Sequence, residues 1–178
     1  MQDSLVKLPV ILEEKLLKNG LRVAFATLNA PKTLNALSLP MIDVLLPQLK
    51  TWLSNTEIAL IVIQGAGDKA FCAGGDISDM HLSALNEAER DKAIWHFNRS
   101  FGRMITQVKH APTAVIVVVE GAVLGGGFGL ACVADITLAC DNAFFALPET
   151  GLGVIPAQIA PFVAMRIGVD HTKHLALT

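Results

Sequence analysis

The stretch AVIVVVEGAVLGGGFGLACVAD, residues 114–135, carries a single charge, Glu120, before its closing aspartate. Two folds compete for it. Its length and apolarity suit a membrane-spanning helix. Its composition argues otherwise. The first part, AVIVVV, is β-branched, and the second is broken by Gly125, Gly126, Gly127 and Gly129. A buried strand, a tight loop and a buried helix account for both halves. Glycine inside a regular element costs about 0.5–1 kcal/mol relative to alanine, so this much bare backbone calls for a reason.

The same order of strand, glycine turn and helix recurs upstream in IVIQGAGDKAFCAGGDISDM, residues 61–80. Gly65, Gly67 and Ala70 match the spacing of a dinucleotide fingerprint, but Gly74-Gly75 follows too soon for the helix such a site requires. A strand-end turn is the better reading. The glycines at 125–129 lack the Gly-Lys-Ser/Thr ending of a phosphate loop. Each turn can present backbone N–H groups, and the second opens a helix, whose N-terminus carries partial positive charge. Two such donors aimed at one oxygen form an oxyanion hole. Close packing of strand on helix explains the same glycines, and both readings stand at this point.

The rest of the chain reads as strands alternating with helices, an α/β fold with a parallel or stacked sheet. LEEKLLKNGLRVAFATL is expected to form a hairpin with Asn19-Gly20 as a two-residue turn. Ser38 and Pro40 open a helix that Pro47 should kink. Ile94, Phe97, Phe101, Met104, Ile105 and Val108 mark a second amphipathic helix. Strands are expected at EIALIVIQG and around ADITLAC, then a short strand and loop in AFFALPETGLGVIPAQ, then a helix with Pro161 in its first turn.

A length of 178 residues suggests one domain. With 52% hydrophobic and 17% charged residues, the chain can bury a large core and hide further surface in an oligomer. A net charge of −2 and no run of Lys or Arg argue against nucleic acid. Cys72, Cys132 and Cys140 have no metal-type spacing and are read as reduced thiols of a cytoplasmic protein. The N-terminus has neither signal-peptide nor transit-peptide character.

Glu149 sits between apolar segments, where lost hydration raises a carboxyl's pKa toward the range suited to proton transfer. A cap or salt bridge is the ordinary alternative. Glu120 ends a strand and is read as structural. His81, His96, His110, His171 and His174 lack ligand spacing, and Asp76 could cap a following helix.

Four segments, TLNAPKTLNAL, GAGDKAFCAGGDISDM, GAVLGGGFGLACVADITLA and FALPETGLGVIP, together resemble the crotonase family of enoyl-CoA hydratases and isomerases, in the family's order and spacing. The resemblance covers nearly all of residues 1–178, expected as a single core domain. It implies a crotonase-like ββα spiral, a homotrimer or dimer of trimers, and an acyl-CoA thioester as substrate, with no metal and no cofactor beyond the coenzyme A of the substrate. Gly75 and Gly126 match the two oxyanion-hole residues. Asp76, Ile77 and Ser78 match the segment lining the CoA cleft, and Ala73 matches a position near the adenine. Glu149 matches the family's second catalytic glutamate.

Three departures shape the expected chemistry. Gly129 stands where two-glutamate hydratases carry their first glutamate, so Glu149 is alone, as in the family's single-glutamate isomerases. The missing side chain at Gly129 is expected to enlarge the pocket for a branched acyl chain, with Gln158 or the substrate's own carboxylate holding the attacking water. GGGFGL with PET also resembles the 3-hydroxyisobutyryl-CoA hydrolases, which carry an Asp where this chain has Ala157. GVIPAQIAPFV, residues 153–163, is similar to hydratases of branched glutaconyl-CoA compounds. The family continues with a helical segment, whereas this sequence stops at Thr178 within an apparent helix. Hydration of a 2-enoyl-CoA is the expected activity. Isomerisation, thioester hydrolysis and acyl-CoA binding without chemistry are the alternatives.

Overall fold

The apolar runs build two sheets and the helices that cover them. A computed structural model describes residues 8–76 and 86–178. In chain order these form β1 (Val10–Leu16), β2 (Arg22–Leu28), α1 (Leu39–Leu53), β3 (Ile58–Gly65), β4 (Ala70–Cys72), α2 (Glu87–Lys109), β5 (Ala114–Val119), β6 (Ala122–Leu124), α3 (Gly126–Val133), β7 (Ile136–Ala139), β8 (Phe144–Ala146), α4 (Ala160–Ile167) and α5 (Val169–Leu177). The larger sheet has the order β1-β2-β3-β5-β7 and the smaller one β4-β6-β8. Among the described strands β1 and β2 pair antiparallel and the other paired strands run parallel, with an isolated antiparallel bridge between Ala70 and Gly121.

The stretch at 114–135 is strand, loop and helix, and no helix among the described residues is long and apolar enough to cross a membrane. It also contains an element that the sequence reading lacked. After Val119 the chain leaves the large sheet, turns at Gly121 with φ +63°, and enters the small sheet as β6. A side chain at Gly121 would collide with the Lys69 carbonyl. The crossing therefore depends on backbone packed directly on backbone.

Two other expectations change in detail. The hairpin loop has three residues rather than two. Leu16 pairs with Arg22, the Leu17 N–H donates to the Leu21 carbonyl, and Gly20 takes φ +85°. That is a turn closed by a left-handed glycine, the usual form of a three-residue connection. Helix α1 runs unbroken through Pro47, and Ser38 caps it by accepting from the Met41 N–H at 3.3 Å.

The first-turn amides of α2 are satisfied by a capping box of Asn86 and Glu89. The α2 face bearing Phe101, Met104, Ile105 and Val108 is buried against the core. That core runs between the layers through Leu28, Ile42, Trp52, Ile61, Ile63, Val117, Leu130 and Val163. On the rim, edge strand β7 and strand β8 leave Ile136, Leu138 and Phe144 each about half exposed.

Candidate active site

The small sheet delivers three segments to one place. Strands β4, β6 and β8 are parallel neighbours, so their carboxyl ends fall along one edge, where parallel sheets commonly bind ligands. Past β4 the chain reaches Gly74-Gly75, past β6 it reaches Gly125-Gly126, and past β8 it reaches Glu149. Gly75, Gly126 and Glu149 line a single cavity of about 260 Å³, with Ala73, Phe97 and Gln158 also in its wall.

Hydrogen bonding fixes how the two glycine corners present themselves. The Leu37 N–H donates to the Gly74 carbonyl at 2.7 Å, and the Asp76 N–H donates to the Leu37 carbonyl at 2.9 Å. In a parallel bridge of this kind the central residue's own N–H and carbonyl point away from the partner. The Gly75 N–H is thus turned from Leu37. Gly126 is the first residue of α3, so its N–H is among those that a helix cannot satisfy internally. The corners also touch: the place a Gly74 Cβ would occupy lies 3.7 Å from the Gly126 nitrogen.

Two phenylalanines wall the pair. Phe97 and Phe101 lie parallel, 6.4 Å apart on successive turns of α2. A side chain at Gly75 would stand 3.1 Å from Phe97 Cζ, and one at Gly126 would stand 3.3 Å from Phe101 Cζ. Both glycines therefore let a ligand approach the backbone where a methyl group would crowd a ring.

Glu149 completes the cavity. Its Oε1 lies 2.5 Å from where a Gly125 Cβ would stand, and Gly125 adopts φ +48°. Its Oε2 is buried without a hydrogen-bond partner among the described residues. Burial raises the carboxyl above its ordinary value of 4.5, opposed in part by a backbone hydrogen bond. The carboxylate thus sits beside the amino end of α3, poised to exchange a proton.

The wider sequence reading is partly rearranged. Gly129 does not open the cavity. A side chain there would overlap Ile159 Cγ2 and stand 3.2 Å from Ile105 Cδ1, so isoleucine already fills the space expected for a branched acyl chain. Ala157 and Gln158 do line the cavity, and Gln158 Oε1 nests against Gly102 of α2, 2.8 Å from where a side chain would begin. Ile77, Ser78 and His81 lie outside the described residues, as does the helix that Asp76 was expected to cap. The fingerprint-like Gly65–Ala70 connects β3 directly to β4 with no helix between, which matches a turn. Glu120 is half-buried at the end of β5, and His171 and His174 are exposed.

Sequence reasoning passed over two supports of the site. Leu37, wholly buried, holds the Gly75 corner through the bridge above. Asn35, also wholly buried with φ +54°, accepts from the Ala30 N–H at 2.9 Å and donates to the carbonyls of Ala66 and Ala70 at 2.9 and 2.8 Å. It ties the loop after β2 to the entrance of β4. An Asn between two apolar residues in a loop, as in Leu34-Asn35-Ala36, was the available signal.

Comparison with known proteins identifies relatives of the whole chain. A family model described as enoyl-CoA hydratase/isomerase matches residues 23–178. Mitochondrial 3-hydroxyisobutyryl-CoA hydrolase of Mus musculus is 42% identical over 156 residues, covering 85% of this chain and 39% of that protein. The Homo sapiens enzyme of the same name is 40% identical over 168 residues, 93% of this chain and 42% of its own length. A solved enoyl-CoA hydratase/isomerase from Marinobacter aquaeolei superposes with a TM-score of 0.84 at 45% identity, covering 95% of this chain and 62% of the other. Pseudomonas aeruginosa AtuE gives 0.83 at 43% identity, with the same coverage. The chain spans about two fifths of the curated relatives' length and under two thirds of these solved chains. By the family model that matches most of its length and by these relatives, the chain belongs to the crotonase family of enoyl-CoA hydratases and isomerases.

Proposed function

We propose that the protein hydrates the 2,3-double bond of an enoyl-CoA thioester, with Glu149 as the sole carboxylate in the step. The observation that carries this reading is the placement of Glu149, whose buried Oε2, without a hydrogen-bond partner among the described residues, shares a cavity with the Gly75 and Gly126 corners. The two N–H groups polarise the thioester oxygen and make C3 electrophilic. Each such donor contributes roughly 2.7–4 kcal/mol in comparable sites. Glu149 takes a proton from water as the water oxygen bonds to C3. The electron pair of the double bond moves through C2 onto the thioester oxygen. Glu149 then returns the proton to C2, which restores the carboxylate and balances the reaction with water alone. Similarity of residues 153–163 to glutaconyl-CoA hydratases, isohexenylglutaconyl-CoA hydratase in particular, favours a branched acyl group.

Thioester hydrolysis is the second reading, favoured by about 40% identity to 3-hydroxyisobutyryl-CoA hydrolases. Ala157 in place of an aspartate counts against it. We further propose a homotrimeric, cytoplasmic enzyme, with the exposed Ile136, Leu138 and Phe144 as contact surface.

One assay separates the activities. Loss of conjugated-thioester absorbance from 2-enoyl-CoA without thiol release reports hydration. Gain of absorbance from 3-enoyl-CoA reports isomerisation, and thiol release reports hydrolysis. Binding with no change reports a non-catalytic acyl-CoA protein and would overturn the proposal. Glu149→Gln should lower kcat for hydration by about 10²–10⁴, the worth of a positioned acid–base group.

A further inference from the structure

Three glycines in a row lead into α3, and the cavity accounts for only two of them. Gly125 gives its side-chain place to Glu149, and Gly126 lines the cavity beside Phe101. Gly127 is buried and meets β4 instead. A side chain there would begin 2.6 Å from Cys72 Cβ, 2.9 Å from Cys72 Sγ and 2.5 Å from the Cys72 carbonyl oxygen. The bare backbone at Gly127 thus lets Cys72, the last residue of β4, lie against the amino end of α3.

Cys72 also meets the first corner. Its Sγ lies 3.7 Å from the Gly74 carbonyl oxygen and donates to it. The Leu37 N–H donates to the same oxygen at 2.7 Å. Cys72 is wholly buried, and burial pushes its thiol up to about 12, so it keeps the proton it donates. The Gly74 carbonyl and the Gly75 N–H belong to one planar peptide unit and point in opposite directions. Whatever fixes that carbonyl aims that N–H. A donor on the carbonyl also polarises the unit and strengthens the bond its N–H can give.

The Cys72 side chain is therefore wedged between the two segments whose amides meet at the cavity. It holds the Gly75 peptide unit on one side and spaces the helix that begins at Gly126 on the other. Ala73, Gly74 and Gly75 line the cavity, whereas Cys72 stands behind them and outside its wall. The corners are close, with 3.7 Å between the place of a Gly74 Cβ and the Gly126 nitrogen. In a close-packed interior a change in one such contact moves both donors.

We propose that Cys72 is a positioning residue of the oxyanion hole: held between the Gly74 carbonyl and Gly127, its side chain sets how the Gly75 and Gly126 amides converge on the thioester oxygen. The inference rests on the reading of those amides as donors to that oxygen, and only its kinetic arm rests on hydration.

The test compares wild type with three variants. Cys72→Ala removes both contacts, Cys72→Ser keeps a donor on a shorter arm, and Ile61→Val trims the buried core on β3. For 2-enoyl-CoA, kcat of Cys72→Ala should fall about tenfold, less than the 10²–10³ lost with an entire donor. Its KM should stay near wild type, because the disturbed bonds strengthen in the transition state. Cys72→Ser should fall between the two, and Ile61→Val should keep wild-type kcat. The second readout is the absorption of saturating 2,4-hexadienoyl-CoA, taken in the Glu149→Gln background to suppress turnover. Polarisation of its carbonyl moves the band to longer wavelength. That shift should be full in the parent and Ile61→Val, smaller with Cys72→Ser and smallest with Cys72→Ala. Full shift and wild-type kcat in both Cys72 variants would overturn the proposal, as would a raised KM at unchanged kcat. Equal losses in Ile61→Val would reduce Cys72 to ordinary packing and overturn it too. Should Cys72→Ala fail to fold, Cys72→Ser decides: a diminished shift upholds the proposal and a full one sinks it. Should wild type hydrate no enoyl-CoA, the hydration reading fails and the shift alone decides the role of Cys72.

Discussion

Gly125 and Gly129 stand one helical turn apart at the start of α3, and both lack a side chain for opposite reasons. At Gly125 the vacant place is taken by the Glu149 carboxylate, which faces a cavity. At Gly129 it is taken by Ile159 and Ile105, which close the core. In the sequence the two positions carry the same letter, four residues apart. What separates a cavity corner from a packing contact is the residue that arrives from elsewhere in the chain, 24 to 30 positions away.

The largest contrast should come from adding a charged side chain at each position. Gly129→Glu has no space and no partner for its charge, so overpacking and buried charge together should prevent a cooperative fold. Thermal denaturation that retained a sharp transition within a few degrees of wild type would show that the core can open. The milder Gly129→Ala should cost about 1–3 kcal/mol, relieved in part by Ile159→Val, and a double-mutant cycle reads that coupling directly. Gly125→Ala should behave in the other way. Its backbone, at φ +48° and ψ −118°, is open to glycine alone and costs alanine about 1–3 kcal/mol, while displacement of Glu149 should lower kcat by about 10²-fold. Loss of stability without loss of turnover would erase the distinction.

Protonation sharpens the same comparison from the side of Glu149. Its carboxyl is raised above 4.5 by burial in the fold, so the folded chain holds that proton more tightly than the unfolded one. The resulting stabilisation is complete below pH 4.5 and is lost as pH climbs through the folded value. Wild type should accordingly lose ground to Glu149→Gln in denaturant titrations over that interval. Hydration should run the opposite course, because the base must be ionised; kcat/KM should rise with pH through the same value. A profile flat across the interval would remove Glu149 from the proton transfer.

The smallest effect is expected at an open position. Ala157 lines the cavity and is exposed. Ala157→Asp should change stability by no more than about 0.5 kcal/mol, as surface substitutions do. It should add measurable thiol release from acyl-CoA, and a variant with none would count against a hydrolytic role for that position.

Much of this was legible along the chain because it is written locally. β-branched runs became β3 and β5, Ser38 and Pro40 opened α1, and both glycine corners fell at strand exits. The occupant of Gly129 was not legible, because Ile159 meets it only after two strands and a loop have been placed. The bridge from Leu37 to Gly75 joins residues 38 positions apart and leaves no periodic trace. Phe97 and Phe101 do carry a helical period, but that period announces burial and not what the buried face touches. Strands as short as β4 and β6 pair only because their neighbours are already in place.

The three parallel strands of the small sheet end side by side, yet each hands over to its own loop. The amides offered at that edge come from main chain, whatever side chains decorate those strands. Such a platform is indifferent to the reaction it hosts: any chemistry that gathers negative charge on a carbonyl oxygen can be installed by editing the third loop while the first two stay untouched. Divergence among enzymes built this way is therefore a matter of which acid or base the last loop brings to the edge.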